Sequence, residues 1–449
     1  MPRPNRRDFL RQATLGSAGA ALAASSLPSL ASGSRADPLN VAFVGVGNRG
    51  GGNIDGFPNE NHVAYCDIDA RYLDAAVANL VEKRGKPKPN TYADFREMLD
   101  KEKSLDVVVV STPDHTHAVA AMMALKLGKH VYCEKPLTHS IYEARKLREV
   151  AAEKKLVTSM GNQGTAVDGF RTAVEVLRSG AIGAVTEAHV WTNRPGRYWR
   201  QGLDRPTSQP ECPPHVNWDL WLGPAPERAY HPYYHPFAWR GWVDFGTGAL
   251  GDMACHTANM MFMGLDLGYP TAVQAESAPC NGDSFPLWSI ITYEFPARGD
   301  RPAMKVIWYD GEKDGKRNLP PEGLLPGVKM SDSGTLIVGS KGMLFAPNDY
   351  GAGFKLLPEE DFADYQPPAP KLPRVGGAHH QEFINAIKNG GQPLASFDYA
   401  GKLTEFVLVG NLAVLTGQKI DWDGETMTAR NCPEAAKLVR RPYRSGWTL

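Results

Sequence analysis

Asn40-Val-Ala-Phe-Val-Gly45-Val-Gly47-Asn-Arg-Gly50-Gly51 is the stretch that decides the fold of this chain. Val41 to Val44 form a short run of β-favouring apolar residues that stops at Gly45-x-Gly47-x-x-Gly50. Each glycine answers a separate need. Gly45 permits a tight turn out of a strand, Gly47 admits a pyrophosphate close to the backbone, and Gly50 lets helix and strand pack closely. Asn48 and Arg49 complete the loop, so that phosphates would face free N–H groups at a helix N-terminus. A second strand-like run, His62 to Cys66, ends in Asp67, 22 residues beyond Gly45. That spacing is close to the ~20 residues expected of an acid that holds the adenosine ribose of a dinucleotide. The same residues also admit a plainer reading, a structural glycine-rich turn in some other α/β fold.

Outward from this loop the chain alternates. Strand-like runs at Val107–Ser111, His130–Cys133 and Val157–Met160 are separated by helix-like runs at Arg71–Arg84, His117–Leu127 and Ile141–Lys154. Four consecutive valines, Val107 to Val110, suit a strand buried on both faces. The pattern predicts a doubly wound parallel sheet over residues 38–161. After Gly161 the texture changes to a second domain, 162–449. A helix at Phe170–Ser179 and a strand at Val185–Thr192 precede a Pro/Trp/Tyr/His-rich stretch, Asn193 to Phe245, that has little periodicity. So long an irregular stretch is either a functional lid or an insertion wrapped over the core. Alternating runs at Ala272–Glu276, Trp288–Phe295, Ala303–Tyr309 and Thr335–Val338 then predict a mostly antiparallel sheet. Helices at His380–Asn389 and Tyr399–Leu415 close the chain, the latter expected to pack back on the first domain.

Residues 1–35 read as an address and linker. Asn5-Arg6-Arg7-Asp8-Phe9-Leu10 carries twin arginines, and an Ala/Gly/Ser-rich run follows it, too short and interrupted to span a bilayer. It resembles a Tat export signal; the other reading is a disordered basic tail. The Tat machinery carries folded proteins, so the expectation is a periplasmic enzyme loaded with a tightly held cofactor before export. No stable membrane anchor is expected.

The 449 residues exceed what one hydrophobic core usually serves. Lys plus Arg and Asp plus Glu number 49 each, so no global field favours nucleic acid. The six cysteines are scattered without metal-ligand spacing, and no metal is expected.

Three further features bear on chemistry. Ser111-Thr112-Pro113 ends a buried strand and leads into Asp114-His-Thr-His117, at the strand ends where ligands of such sheets sit. Helix capping by Asp114 or Thr116 is the plainer alternative. Cys133-Glu134-Lys135-Pro136 follows the next strand and places an ammonium there, suited to stabilising an alkoxide. Alone, Lys135 also reads as a solvated lysine, and Pro136 invites a cis bond. Finally, Gly246-Thr-Gly-Ala-Leu-Gly-Asp252-Met-Ala-Cys-His256 places Asp252 and His256 at i and i+4, on one helical face. An imidazole suits proton exchange with an alcohol at neutral pH. The competing view makes Asp252 an N-cap and His256 a core histidine.

Together these motifs resemble the Gfo/Idh/MocA oxidoreductases, over nearly everything from Asn40 onward. The resemblance rests on Gly45-Val-Gly47-Asn-Arg-Gly50, Cys66-Asp67-Ile-Asp69, Thr112-Pro113…His117, Gly128-Lys-His-Val-Tyr-Cys-Glu134-Lys135-Pro136 and Gly251-Asp252…His256. It implies a Rossmann domain followed by a C-terminal α/β domain whose open sheet often mediates homo-oligomers. It also implies hydride transfer between a nicotinamide and a substrate hydroxyl flanked by Lys135 and His256. His256 would be the base, Asp252 would orient or tune the imidazole, and Lys135 would stabilise oxyanion charge. The cofactor side would be Gly45, Gly47, Asn48, Arg49, Gly50, Asp67, Ser111, Thr112, Pro113, His117, Glu134 and Lys135. Gln163 reads either as facing the nicotinamide or as a turn residue. Asp67 favours NAD because a carboxylate repels a 2′-phosphate, while Arg49 leaves NADP open. The Asn193–Phe245 stretch is longer than simple family members have. Its Tyr198, His235, Trp239 and Arg240 are candidate sugar contacts, with plain packing as the alternative. The expected substrate is a secondary hydroxyl of a sugar, glycoside or cyclitol. Two rivals stand beside this reading. One is a glycosidase or lyase that uses a retained NAD for transient oxidation and elimination; such relatives tend to lack the Glu-Lys-Pro triplet. The other is a non-catalytic nucleotide- or sugar-binding protein.

Overall fold

The computed structural model describes residues 37–325 and 328–449; the export signal expected in residues 1–35 lies outside them. The first domain is a six-stranded parallel sheet of β1 (Asn40–Val44), β2 (Asn61–Cys66), β3 (Asn90–Tyr92), β4 (Val107–Val110), β5 (His130–Cys133) and β6 (Thr158–Met160). The strand order is β3-β2-β1-β4-β5-β6, which puts the topological switch between β1 and β4. Side chains alternate across it. Ala42, Val44, Val108, Val110, Val131 and Cys133 face one layer, and Val41, Phe43, Val107, Val109 and Tyr132 face the other. β3 has no counterpart in the sequence reading, because its polar residues pair with β2 alone at the sheet edge and need no apolar run.

The second sheet has nine strands in the order β15-β14-β13-β7-β10-β9-β8-β16-β17. They are β7 (Val185–Trp191), β8 (Ala272–Ser277), β9 (Ser289–Phe295), β10 (Met304–Asp310), β13 (Gly334–Gly339), β14 (Gly342–Ala346), β15 (Lys355–Leu357), β16 (Ile420–Asp423) and β17 (Thr428–Ala429), while β11 (Glu312–Lys313) and β12 (Lys316–Arg317) form a separate hairpin. Only the central β7–β10 pair is parallel; the other ladders are antiparallel. The mostly antiparallel α/β architecture is therefore the one expected.

Helix His379–Asn389 returns to the first domain and buries Phe383 and Ile384 against Phe43 and Tyr132. Helix Phe397–Thr416 packs between the two sheets. It pairs Glu405 with Arg145 of helix Ile141–Glu153 through two bonds of 2.8 and 2.6 Å, and its Val407 carbonyl accepts from Tyr293 of β9 at 3.2 Å. The parallel sheet needs apolar cover on both faces, and the chain supplies part of it from its far end.

The Asn193–Phe245 stretch contains only a short helix, Trp218–Leu222, and one helical turn, Ala238–Gly241. It is not loose. Trp221, Leu222, Tyr234, Trp239, Trp242 and Phe245 form its own buried cluster. It docks beside β2, where Ala70 N–H donates to the His215 carbonyl (2.9 Å) and Asn217 N–H to the Ile68 carbonyl (2.8 Å).

Buried neutral histidines tie stability to pH. The ring of His62 lies between the Tyr65 hydroxyl (2.7 Å) and the Phe57 carbonyl (2.8 Å), and burial pushes its pKa down to about 4. The unfolded chain binds this proton at about 6.5. Stability from His62 is therefore full above pH 6.5 and is lost as pH falls toward 4, a loss of about 3 kcal/mol at 1.36 kcal/mol per unit. Denaturant unfolding at pH 7 and pH 4.5 should show this decline, and a His62→Gln variant should flatten it; an unchanged slope in that variant would refute the assignment.

Candidate active site and dinucleotide cleft

The glycine-rich loop leaves β1 at the switch point and opens helix Arg49–Asp55. Its glycines cannot carry side chains. A Cβ on Gly50 would sit 2.1 Å from the Gly45 carbonyl oxygen, one on Gly47 would enter the Tyr72 ring at 2.7 Å, and Gly45 has φ +81°. At the end of β2, Asp67 accepts from the backbone N–H of Val46 (2.9 Å), Gly47 (3.3 Å) and Asp69 (3.0 Å). Burial pushes this carboxyl up and those donors oppose the shift. A carboxylate has about four lone-pair directions, so one remains for a ribose hydroxyl.

These residues line a cleft of about 380 Å³ between the first domain, the insertion and the second domain. Its wall includes Gly45, Gly47, Asn48, Arg49, Asp67, Ser111, Thr112, Pro113, Glu134, Lys135 and Gln163 of the cofactor set, and Asp252 and His256 of the catalytic set. Tyr198, His235, Trp239 and Arg240 of the insertion lie on the same wall. The steric demand for glycine at the loop and a carboxylate at the β2 end together fit a dinucleotide.

Gly50, packed against the Gly45 carbonyl, is not on the wall, and neither is His117. The His117 ring is buried between the carbonyls of Pro136 and Thr112, both at 2.8 Å. It fixes the two loops that carry Thr112 and Lys135 rather than touching a ligand. Asp114 and Thr116 do not cap their helix by side chain: Pro113 is the N-cap, and Thr116 Oγ1 donates to the Pro113 carbonyl at 3.0 Å. Asp114, itself on the cleft wall, instead accepts from Thr247 Oγ1 (2.7 Å), and burial pushes it up to about 7.

Glu134 is engaged by the helix that follows the glycine loop. It accepts from Arg49 Nε (2.8 Å) and Asn53 Nδ2 (2.9 Å), and Asn53 also receives His380 at 2.9 Å, tying the loop to the returning C-terminal helix. Lys135 goes the other way. Its ammonium donates to Asp252 Oδ1 (2.6 Å) and to the Asp252 carbonyl (2.9 Å), and the Lys135–Pro136 bond is cis, as the sequence invited. Asp252 therefore lies inside helix Gly248–Thr257 and is not its N-cap, which is Thr247.

Asp252 makes no hydrogen bond to His256, although its charge acts on the imidazole and raises its pKa against the larger effect of burial. Asp252 accepts from Lys135 and, at 3.3 Å, from Arg240 Nε, and these cations hold its carboxyl well below the usual range against the opposing effect of burial. His256 is oriented by Asn162, whose Oδ1 lies 2.8 Å from Nδ1. An amide oxygen can only accept, so Nδ1 carries the proton and Nε2 keeps a lone pair. Burial, with Lys135 nearby, pushes the imidazole well below 6.5, so it is neutral at pH 7. The Tyr350 ring meets it edge-on at 4.9 Å. Sequence reasoning missed Asn162 and Tyr350. Asn162 is the immediate neighbour of Gln163, which the sequence did single out, whereas Tyr350 follows β14 and had no local signal.

Residues 39–162 match the Gfo/Idh/MocA model described as "Oxidoreductase family, NAD-binding Rossmann fold", and residues 171–318 match that of its "C-terminal alpha/beta domain". The chain is 31% identical over 171 residues to a glycosyl hydrolase family 109 protein of Shewanella pealeana, covering 33% of this chain and 37% of the relative. The chain thus spans about a third of that relative's length. Its fold is similar to the WlbA dehydrogenase from Bordetella pertussis in complex with NADH and UDP-GlcNAcA, with TM-score 0.60 and 14% identity over 86% of this chain and 99% of that one. It is also similar to a levoglucosan dehydrogenase in complex with NADH and levoglucosan, with TM-score 0.56 and 19% identity over the same shares, 86% and 99%. At such identities the likeness concerns the fold.

Proposed function

Because the chain belongs to the Gfo/Idh/MocA oxidoreductase family, with an NAD-binding Rossmann domain, we propose that it oxidises or reduces a secondary hydroxyl of a sugar, glycoside or cyclitol. One observation carries this reading: a neutral imidazole and a carboxylate-held ammonium line the same cleft as the glycine-rich loop. Bound NAD supplies a two-electron hydride acceptor or donor at the nicotinamide. The protein's own part is proton and charge management. His256 Nε2, fixed by Asn162, takes the hydroxyl proton. Lys135 has three N–H donors, two of them spent on Asp252, which leaves one for the developing alkoxide. Trp239, Tyr198 and Arg240 line the cleft as sugar contacts, in line with the sugars named for the two similar structures. Arg49 is engaged by Glu134, which leaves Asp67 unopposed at the ribose and favours NAD over NADP.

A second reading follows from the 31% identity to a glycosyl hydrolase family 109 protein: retained NAD serving transient oxidation and elimination of a glycosidic bond. Two assays separate the readings. The purified protein, incubated with a panel of polyols and free sugars, should reduce NAD stoichiometrically. Release of an aglycone from chromogenic glycosides without added NAD, and without net reduction, would favour the hydrolase. Absence of both would leave a binding protein.

Export is proposed on Arg6-Arg7 and the small-residue run after them; an exported form beginning near Ser32 supports it, and a cytosolic protein beginning at Met1 opposes it. Homo-oligomerisation is proposed through the outer face of the nine-stranded sheet, where Ile290, Ile307, Val338 and Met343 are only half-buried. A monomer by light scattering would end that proposal.

A further inference from the structure

Residues of the 440–449 stretch, together with helices Asp114–Lys126 and Ile141–Glu153, line a second cavity of about 570 Å³ that shares no wall residue with the dinucleotide cleft. A smaller cavity of about 200 Å³ adjoins it, and Glu143, Arg441, Pro442 and Tyr443 belong to both walls. The larger wall carries Lys126, Lys146, Arg440 and Arg441 against one acidic side chain, Glu143. Two of these cations are spent locally. Lys126 donates to the Leu449 carbonyl (2.8 Å), and Lys146 pairs with Glu149 (2.6 Å).

Arg440 and Arg441 form no ion pair among the described residues. Arg440 rests on the Tyr142 ring at 4.5 Å, and Arg441 gives one hydrogen bond, from Nη1 to the Val243 carbonyl at 2.8 Å. Neither nearby carboxylate is free to serve Arg441. Glu143 accepts from the Tyr443 hydroxyl (2.5 Å) and from the N–H groups of His139 (3.1 Å) and Ser140 (2.9 Å), and Asp244 is held by Arg228 at 2.8 Å. Burial pulls the Arg441 pKa down against the raising fields of those two acids. A guanidinium withdrawn from water calls for a counter-charge, and its fork of N–H donors matches the oxygens of a carboxylate or phosphate. Tyr142, Tyr443 and Trp447 give the rest of the wall an aromatic surface. We propose that this cavity binds a small organic oxyanion, its charged group seated on Arg441 and Arg440 and its apolar body against those rings. The proposal is independent of the reaction assigned to the cleft.

The test uses the full chain saturated with NAD, so that the glycine loop is closed to added anions. Inorganic phosphate and, separately, benzoate are titrated in by calorimetry at constant chloride. At least one should bind saturably at one site per chain; the phosphate arm alone points to a phosphate ester, the benzoate arm alone to an aromatic carboxylate. Arg441→Gln should weaken that binding about tenfold, the weight of one charge-assisted hydrogen bond, and leave the affinity for NAD unchanged. Arg441→Lys, which keeps the charge and loses the fork, should fall between. Should the Arg441 variants fail to fold, Arg440→Gln removes the other free cation without touching the Val243 contact, with the same expectation. No saturable binding of either anion by the wild type, or wild-type affinity in the Gln variant, overturns the proposal. Phosphate or benzoate binding in a protein that turns over no sugar refutes the proposed function and leaves this inference standing.

Discussion

Replacement of His256 by alanine is expected to lower kcat about 10²–10⁴-fold at pH 7, the usual weight of a positioned general base, while the protein still binds NAD. His256 lies one helical turn from Asp252 and is held by Asn162 rather than by the Rossmann domain's phosphate loop, so its loss should leave nucleotide retention intact. Single-turnover reduction of NAD with saturating substrate reads the chemical step directly. Because burial pushes the imidazole well below 6.5, the wild-type base is already neutral at pH 7. Its acid limb in kcat/KM accordingly belongs below pH 6.5. Asp114, raised to about 7, also titrates in the cleft, and Asp114→Asn separates its contribution. A His256→Ala enzyme within tenfold of wild type would remove the imidazole from the mechanism.

Lys135→Met should cost both activity and stability, for one electrostatic reason. The Lys135–Asp252 pair is largely buried, the two side chains being 15% and 12% exposed. Removing one partner of such a pair leaves an uncompensated charge, worth about 3–5 kcal/mol when nothing else compensates. Arg240, 3.3 Å from the same oxygen, offsets part of this, so the lower end of that range is expected. Activity should fall about 10²–10³-fold, the scale of losing one donor at a developing oxyanion. The double variant Lys135→Met/Asp252→Asn distinguishes the two effects. It removes the orphaned charge and should recover most of the unfolding free energy, yet none of the activity. Recovery of both would mean that Lys135 acts only as a structural counter-ion.

The difference between these residues shows how the site was encoded. Gly45, Gly47, Gly50 and Asp67 were legible because their demands are local: a turn, a close approach and a fixed distance between two strand ends. Lys135, Asp252 and His256 were legible as motifs, but their partners were not. The i, i+4 spacing places Asp252 and His256 on one face and says nothing of which neighbour each binds. The structure gives Asp252 to Lys135, 117 residues away, and His256 to Asn162, 94 residues away. His117 failed as a cofactor contact because position near a strand end does not set side-chain direction; two backbone carbonyls claimed both ring nitrogens.

By itself the sequence determined the parallel sheet, the glycine loop and the identity of the chemical groups, since periodicity and backbone sterics act over a few residues. Only the tertiary structure decided that helix His379–Asn389 closes the first domain, that the aromatic insertion docks beside β2, and that ammonium and carboxylate form a pair. Those outcomes depend on burial of apolar surface and desolvation of charge between segments far apart in the chain, and local spacing does not carry that information.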